Sequence, residues 1–181
     1  MLSEKEIEAA VGRIGVGLRK YQWLQAEVGR RDVSRDAVFQ RRFNGFYRVR
    51  RDAEWREEYF RLMEESKAGG VHFTHVLRTL HAATGRYEAS FASKLVATLE
   101  PTQPVIDRFV LENFDLRLPY PYQKDREMRI LQVHAELCAK YGALLASDVG
   151  RLMCEMVDEQ YPESGISDLK KVDLVLWQHR A

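Results

Sequence analysis

The sequence predicts an all-α fold, a single compact multi-helical domain over residues 1–181, and three observations carry that expectation. Apolar residues recur every three or four positions through most of the chain, and no run alternates long enough to demand a strand. Ser, Asp, Gly and Pro stand where helices should start and stop, which divides the chain into roughly seven to nine helices by pattern alone. At 181 residues and 45% hydrophobic content there is material for one sizeable core, whereas two full domains would each be thin.

Ser3 followed by Glu6 reads as a capping box, after which Ile7, Val11, Ile14, Leu18 and Tyr21 keep helical spacing. Gly12, Gly15 and Gly17 each cost on the order of 1 kcal/mol inside a helix, so a break near the middle of this element is expected. Beyond Gly29, Phe39, Phe43, Phe46 and Tyr47 form an aromatic stripe on one helix face. Asp52 is placed to cap the next helix, whose stripe is Trp55, Tyr59, Leu62 and Met63 and which ends at KAGG, Lys67 to Gly70. Phe73, Val76, Leu77 and Leu80 mark a fourth helix, closed near Gly85.

A fifth helix, Glu88 to Leu99, is expected to bury Phe91, Leu95 and Leu99 on one face. Pro101 and Pro104 forbid its continuation, and Asp107 restarts a helix that runs to Phe114. LPYPYQK, Leu118 to Lys124, reads as a proline-braced connector. Ile130, His134, Leu137 and Tyr141 then share a face, and Val149, Leu152, Met153, Met156 and Val157 make the next stripe, stopped by Pro162. Ser167 caps a last helix in which Leu169, Val172 and Leu176 point inward and Trp177 pins the C-terminal end.

Charge and cysteine usage exclude several classes. Lys plus Arg total 28 against 27 for Asp plus Glu, so any polyanion-binding argument must be local. Cys138 and Cys154 have no second thiol close to either, which fits neither a disulfide framework nor a thiolate metal site. MLSEKEIEAAV lacks a secretory apolar run and no window approaches a membrane span, so a cytoplasmic location and no membrane partner are expected. His72, His75 and His81 have no adjacent carboxylate or thiol to complete a ligand set, and neither a G-x-S-x-G turn nor a glycine-rich phosphate loop occurs. No metal and no cofactor are expected.

A local excess of positive charge lies between Arg30 and Arg51. There Arg30, Arg31, Arg35, Arg41, Arg42, Arg48, Arg50 and Arg51 face only Asp32 and Asp36. Arg41 and Arg48 lie one heptad apart, opposite the aromatic stripe, and are placed to offer guanidinium groups to phosphates. The competing reading is a solvated face paired to the acidic run Asp52 to Glu65.

The order of elements from Phe73 to Leu116 carries a second argument: a helix, the short polar hairpin TGRYEAS, a helix bearing FASKL, a proline-containing loop, then PVIDRFV. Over these residues the chain resembles the helix-hairpin-helix (HhH-GPD) DNA glycosylase superfamily. The resemblance implies that Asp107 matches the family's aspartate, which sits near a helix start, faces a pocket for a base flipped from the duplex and helps to cleave the glycosidic bond. It also implies a DNA partner, with Gly85 and Arg86 of the hairpin joining Arg41, Arg42 and Arg48 at the nucleic acid. The hairpin supplies one glycine where the family uses several, and Ala89 and Ser90 stand where bifunctional members place a lysine. What the resemblance implies is therefore a monofunctional N-glycosylase, a hydrolase, or a relative that keeps the fold without the chemistry. Asp107 has a purely structural explanation as well, since Asp is among the best helix N-caps. From another class, a non-enzymatic interaction module or homodimer would use Met153 and Met156, or Trp177, against a partner.

Overall fold

A computed structural model describes residues 2–179 and has the all-α architecture the periodicity predicts. The helices are α1 (Glu4–Val11), α2 (Gly15–Val28), α3 (Ala37–Tyr47), α4 (Ala53–Glu65), α5 (Phe73–Thr84), α6 (Ala89–Leu99), α7 (Arg108–Asn113), α8 (Arg126–Leu145), α9 (Asp148–Gln160) and α10 (Asp168–Gln178). A 3-10 turn, Ser66–Ala68, follows α4, and no strand occurs among the described residues. None of these helices is long and apolar enough to cross a membrane.

The caps read from the sequence at Ser3, Asp52, Asp107 and Ser167 form, and Asp36 and Ser147 add two more. The Glu6 carboxylate accepts from both the N–H and the hydroxyl of Ser3, each at 2.7 Å. Asp36, Asp52, Asp107, Ser147 and Ser167 each accept a backbone N–H from the first turn of α3, α4, α7, α9 and α10. The expected break in the first element falls at Gly12–Ile14 and makes two helices of one apolar pattern. Gly15 reopens the helix against Tyr161, where an added Cβ would lie 3.1 Å from the phenol oxygen.

The chain divides into two compact units, one made of residues up to Leu18 together with those from Pro101 onward, the other of Arg19–Glu100. In the first, α10 is the central element and packs on α1, α7, α8 and α9. The predicted inward stripe Leu169, Val172 and Leu176 understates its burial. Every residue from Lys170 to Leu176 is buried, whereas Leu169 and Trp177 are half-buried. Around it stand Ile130, Leu137 and Tyr141 of α8 and Met153 and Val157 of α9, all without exposed surface. The turn between α8 and α9 closes so tightly that a Cβ on Gly150 would overlap the Leu144 carbonyl.

In the second unit, α6 has the central role. It too is buried on all sides, from Ala92 through Thr98, while Phe91 and Leu99 of the expected stripe remain half-buried. Phe39, Phe43, Tyr59 and Phe60 fill the space beside it as fully buried rings in mutual contact. Each such ring contributes roughly 1.5–3 kcal/mol by burial, which assigns the α3 stripe to the core. Polar groups reach α6 from its neighbours. Tyr59 donates to the Phe91 carbonyl at 2.9 Å, and Gln25 donates to the Thr98 carbonyl at 3.0 Å.

Burying α10 takes charges out of water as a matched set. Lys170 and Asp173 pair at 2.6 Å with both side chains only 7% exposed, and the Tyr141 hydroxyl donates to the other Asp173 oxygen at 2.9 Å. Removing one partner leaves a buried uncompensated charge. Asp173→Ala should therefore destabilise the protein by about 3–5 kcal/mol in urea unfolding. A loss no larger than that of a surface substitution would show that Lys170 finds another partner.

Candidate nucleic-acid interface

Asp107 occupies the position the proline pattern assigns it. The chain leaves α6 at Glu100, turns at residues 101–102, passes Pro104, and Asp107, with φ −121° and ψ 150°, caps α7 by accepting the Phe109 N–H at 3.0 Å. Its side chain is half-buried in the first unit. The flanking Val105, Ile106 and Val110 are buried, so the carboxylate is held on a rigid stretch of backbone. Its charge reaches Tyr141: burial drives that phenol far above the ordinary tyrosine value, and Asp173 and then Asp107 add to the effect.

The arginine-rich segment belongs to the second unit. Arg41, Arg42 and Arg48 are all exposed, and of the stripe they oppose Phe39, Phe43 and Tyr47 are buried while Phe46 is half-buried. The competing idea, that these cations are neutralised by the acidic run of α4, meets a specific difficulty. Arg61 engages Glu58 and Glu65 on the same helix, Glu64 takes Lys67, and Asp52 is the N-cap. Hydrogen bonds to Asp36 and then Glu27 hold Arg31 and raise its pKa, and Arg51 grips both oxygens of Glu88 at 2.9 Å. Among the described residues no carboxylate pairs with Arg41, Arg42, Arg50 or Arg86.

Sequence reasoning missed one member of this face. The half-buried Trp23 of α2 stacks against the Arg42 guanidinium at 4.1 Å from its ring centroid, with Arg31 at 5.6 Å. The stack holds a long, flexible cation in one orientation without neutralising it. No local pattern connects Trp23 to Arg42, since they lie on different helices.

The hairpin residues are placed differently from a simple phosphate clamp. Gly85 is the left-handed C-cap of α5, with φ 68°, and its N–H donates to His81 at 2.8 Å. The Arg86 N–H donates to the Thr84 hydroxyl at 3.3 Å, so both backbone donors are engaged within the turn. The Arg86 side chain is exposed at the rim of a cleft of about 790 Å³ that is also lined by Arg50, Arg51, Trp55 and Glu88. Glu54 and Glu57 share that cleft, which gives it both signs of charge. Arg48 caps α3 in the left-handed region, at φ 54°, and points an exposed side chain away from the core.

Other reactive side chains have quieter settings. His81 stacks on Tyr87 at 3.9 Å, and His72 and His75 are exposed. Burial lowers His134 to about 4, which leaves it neutral at pH 7, with Cys138 Sγ at 3.9 Å from Nδ1. Burial raises both thiols, Cys154 to about 11 with help from Asp168, which keeps them protonated and poorly nucleophilic.

Cap and charge are separable at Asp107. Asn caps as well as Asp, so Asp107→Asn should keep the stability of the wild type, while Asp107→Ala should lose about 0.5–2 kcal/mol in urea unfolding. Equal losses from both would assign the carboxylate's negative charge, and not the cap, to stability. No protein-family model matches the chain, and neither does any curated protein or solved structure.

Proposed function

We propose that this chain is a DNA-binding, DNA-glycosylase-like protein, with Arg41, Arg42 and Arg48 of the second unit as contacts to the phosphate backbone and, in the first unit, Asp107 as the carboxylate that acts on the sugar of a displaced nucleotide. The observation that carries the reading is the exposed guanidiniums of Arg41 and Arg42, which have no carboxylate partner among the described residues, while Glu58, Glu64 and Glu65 of α4 pair on or beside their own helix. Cations kept apart from available anions suit a polyanion, which releases counterions as it binds. Trp23 supports the same reading by holding the exposed Arg42 guanidinium against its ring without neutralising it.

The chemistry assigned to Asp107 follows from charge. As the C1′–N bond breaks, the base leaves with the bonding electrons and the sugar becomes oxocarbenium-like. A fixed carboxylate stabilises that cation more than the neutral ground state. Water then adds to C1′ and delivers its proton to the carboxylate or the departing base. A half-buried carboxylate on rigid backbone keeps its position as this charge develops. The absence of a lysine at Ala89 and Ser90 makes the reading monofunctional.

In the alternative, an interaction module or homodimer that uses Met153 and Met156, or Trp177, against a partner, Met153 is fully buried. What remains of that surface is the half-buried Met156 and Trp177.

Binding is checked by fluorescence anisotropy with labelled duplex DNA across a salt series. Affinity should fall steeply with salt, and Arg41→Ala or Arg42→Ala should weaken binding and reduce the salt slope by about one phosphate contact each. No binding at low salt removes the proposal, and salt-tolerant, concentration-dependent self-association supports the alternative. Catalysis is checked by release of free base from duplexes with assorted lesions. Wild type should release base and Asp107→Asn should not, and equal release by both dismisses the carboxylate.

A further inference from the structure

Almost all of the aromatic surface of this protein faces inward, and one place breaks that rule. Tyr120 is 66% exposed and Tyr122 is 84% exposed, whereas Tyr21, Tyr47, Tyr59 and Tyr141 are buried and Tyr87 and Tyr161 half-buried. The two exposed rings are parallel to within 7°, with centroids 5.7 Å apart. They sit in LPYPYQK, where Pro119 and Pro121 each fix φ near −65° and hold the preceding residue extended. Gln123 donates its N–H to the Tyr120 carbonyl at 3.1 Å and closes the turn. The pair is therefore preorganised on a stiff backbone, not two side chains that happen to meet.

We propose that Tyr120 and Tyr122 form a stacking platform for an unpaired base of a nucleic-acid strand. Parallel rings with open faces match the π-face of any base, and stacking of this kind tolerates sequence. Charge selects among aromatic-seeking partners. Arg117, Lys124 and Arg129 in the same stretch are exposed, and among the described residues none has a carboxylate partner, which favours a polyanion over an apolar protein surface. The platform lies in the same unit as Asp107, separated from it in sequence by the six-residue α7 and the turn that follows. A base held there belongs to the strand whose nucleotide Asp107 addresses, so the inference rests on the nucleic-acid reading above.

The test compares a labelled single-stranded oligothymidylate with an abasic strand of equal length, by anisotropy at low salt. Tyr120→Ala/Tyr122→Ala should weaken binding of the base-bearing strand by on the order of tenfold and leave the abasic strand unchanged. Tyr120→Phe/Tyr122→Phe should restore wild-type affinity, because the ring and not the hydroxyl makes the contact. Both side chains are exposed, so the variants keep the fold. If the alanine pair binds the base-bearing strand like wild type while Arg41→Ala still weakens duplex binding, the platform is wrong and the nucleic-acid reading stands. Equal losses on both strands also overturn stacking. Failure of the wild type to bind any strand overturns both proposals.

Discussion

A helix enclosed on every side has no water to which it can send a polar side chain, and the structure of each unit is arranged around that constraint. In one unit the enclosed helix is α10, whose Lys170 and Asp173 neutralise each other and whose spare carboxylate oxygen is taken by Tyr141 of α8. In the other it is α6, where Thr98 donates back to the Lys94 carbonyl at 2.7 Å and Lys94 donates to the Tyr47 carbonyl at 3.4 Å. The neighbouring helices are thus selected for the hydrogen bonds they return as well as for the apolar surface they cover.

This constraint governs what reaches the surface. Because α3 turns Phe39 and Phe43 toward the core of its unit, helical geometry sends Arg41 and Arg42 the other way. Glu58, Glu64 and Glu65 of α4 find Arg61 and Lys67 on or beside their own helix and do not reach across to those arginines. The cationic face is what remains after the core and the local ion pairs are satisfied. Trp23 adds to it an aromatic brace that orients charge without cancelling it.

Asp107 illustrates how one residue serves structure and chemistry together. The two prolines before it stop α6, its own carboxylate caps α7, and the same geometry holds it half-buried, with its charge felt by the buried Tyr141. The cap explains why the residue stands at this point in the chain. The chemistry proposed for it asks only that the same oxygen atoms also meet a sugar.

Helix starts were legible in the sequence because capping is a contact across three or four residues: Ser3, Asp52, Asp107 and Ser167 all cap as their neighbours predict. The break at Gly12 and the inward aromatic stripe of α3 were legible for the same local reason, as was the outward set of arginines. Enclosure of α6 and α10 was not, since Lys94, Lys170 and Asp173 read as solvated until other helices cover them. Nor was the Trp23–Arg42 stack or the parallel tyrosine pair, which depend on side chains brought together in space. The chain's order of residues dictates contacts a few positions apart through backbone geometry. Which faces are sealed and which cations stay unpaired depends on packing between distant segments, and that is settled only when the helices meet.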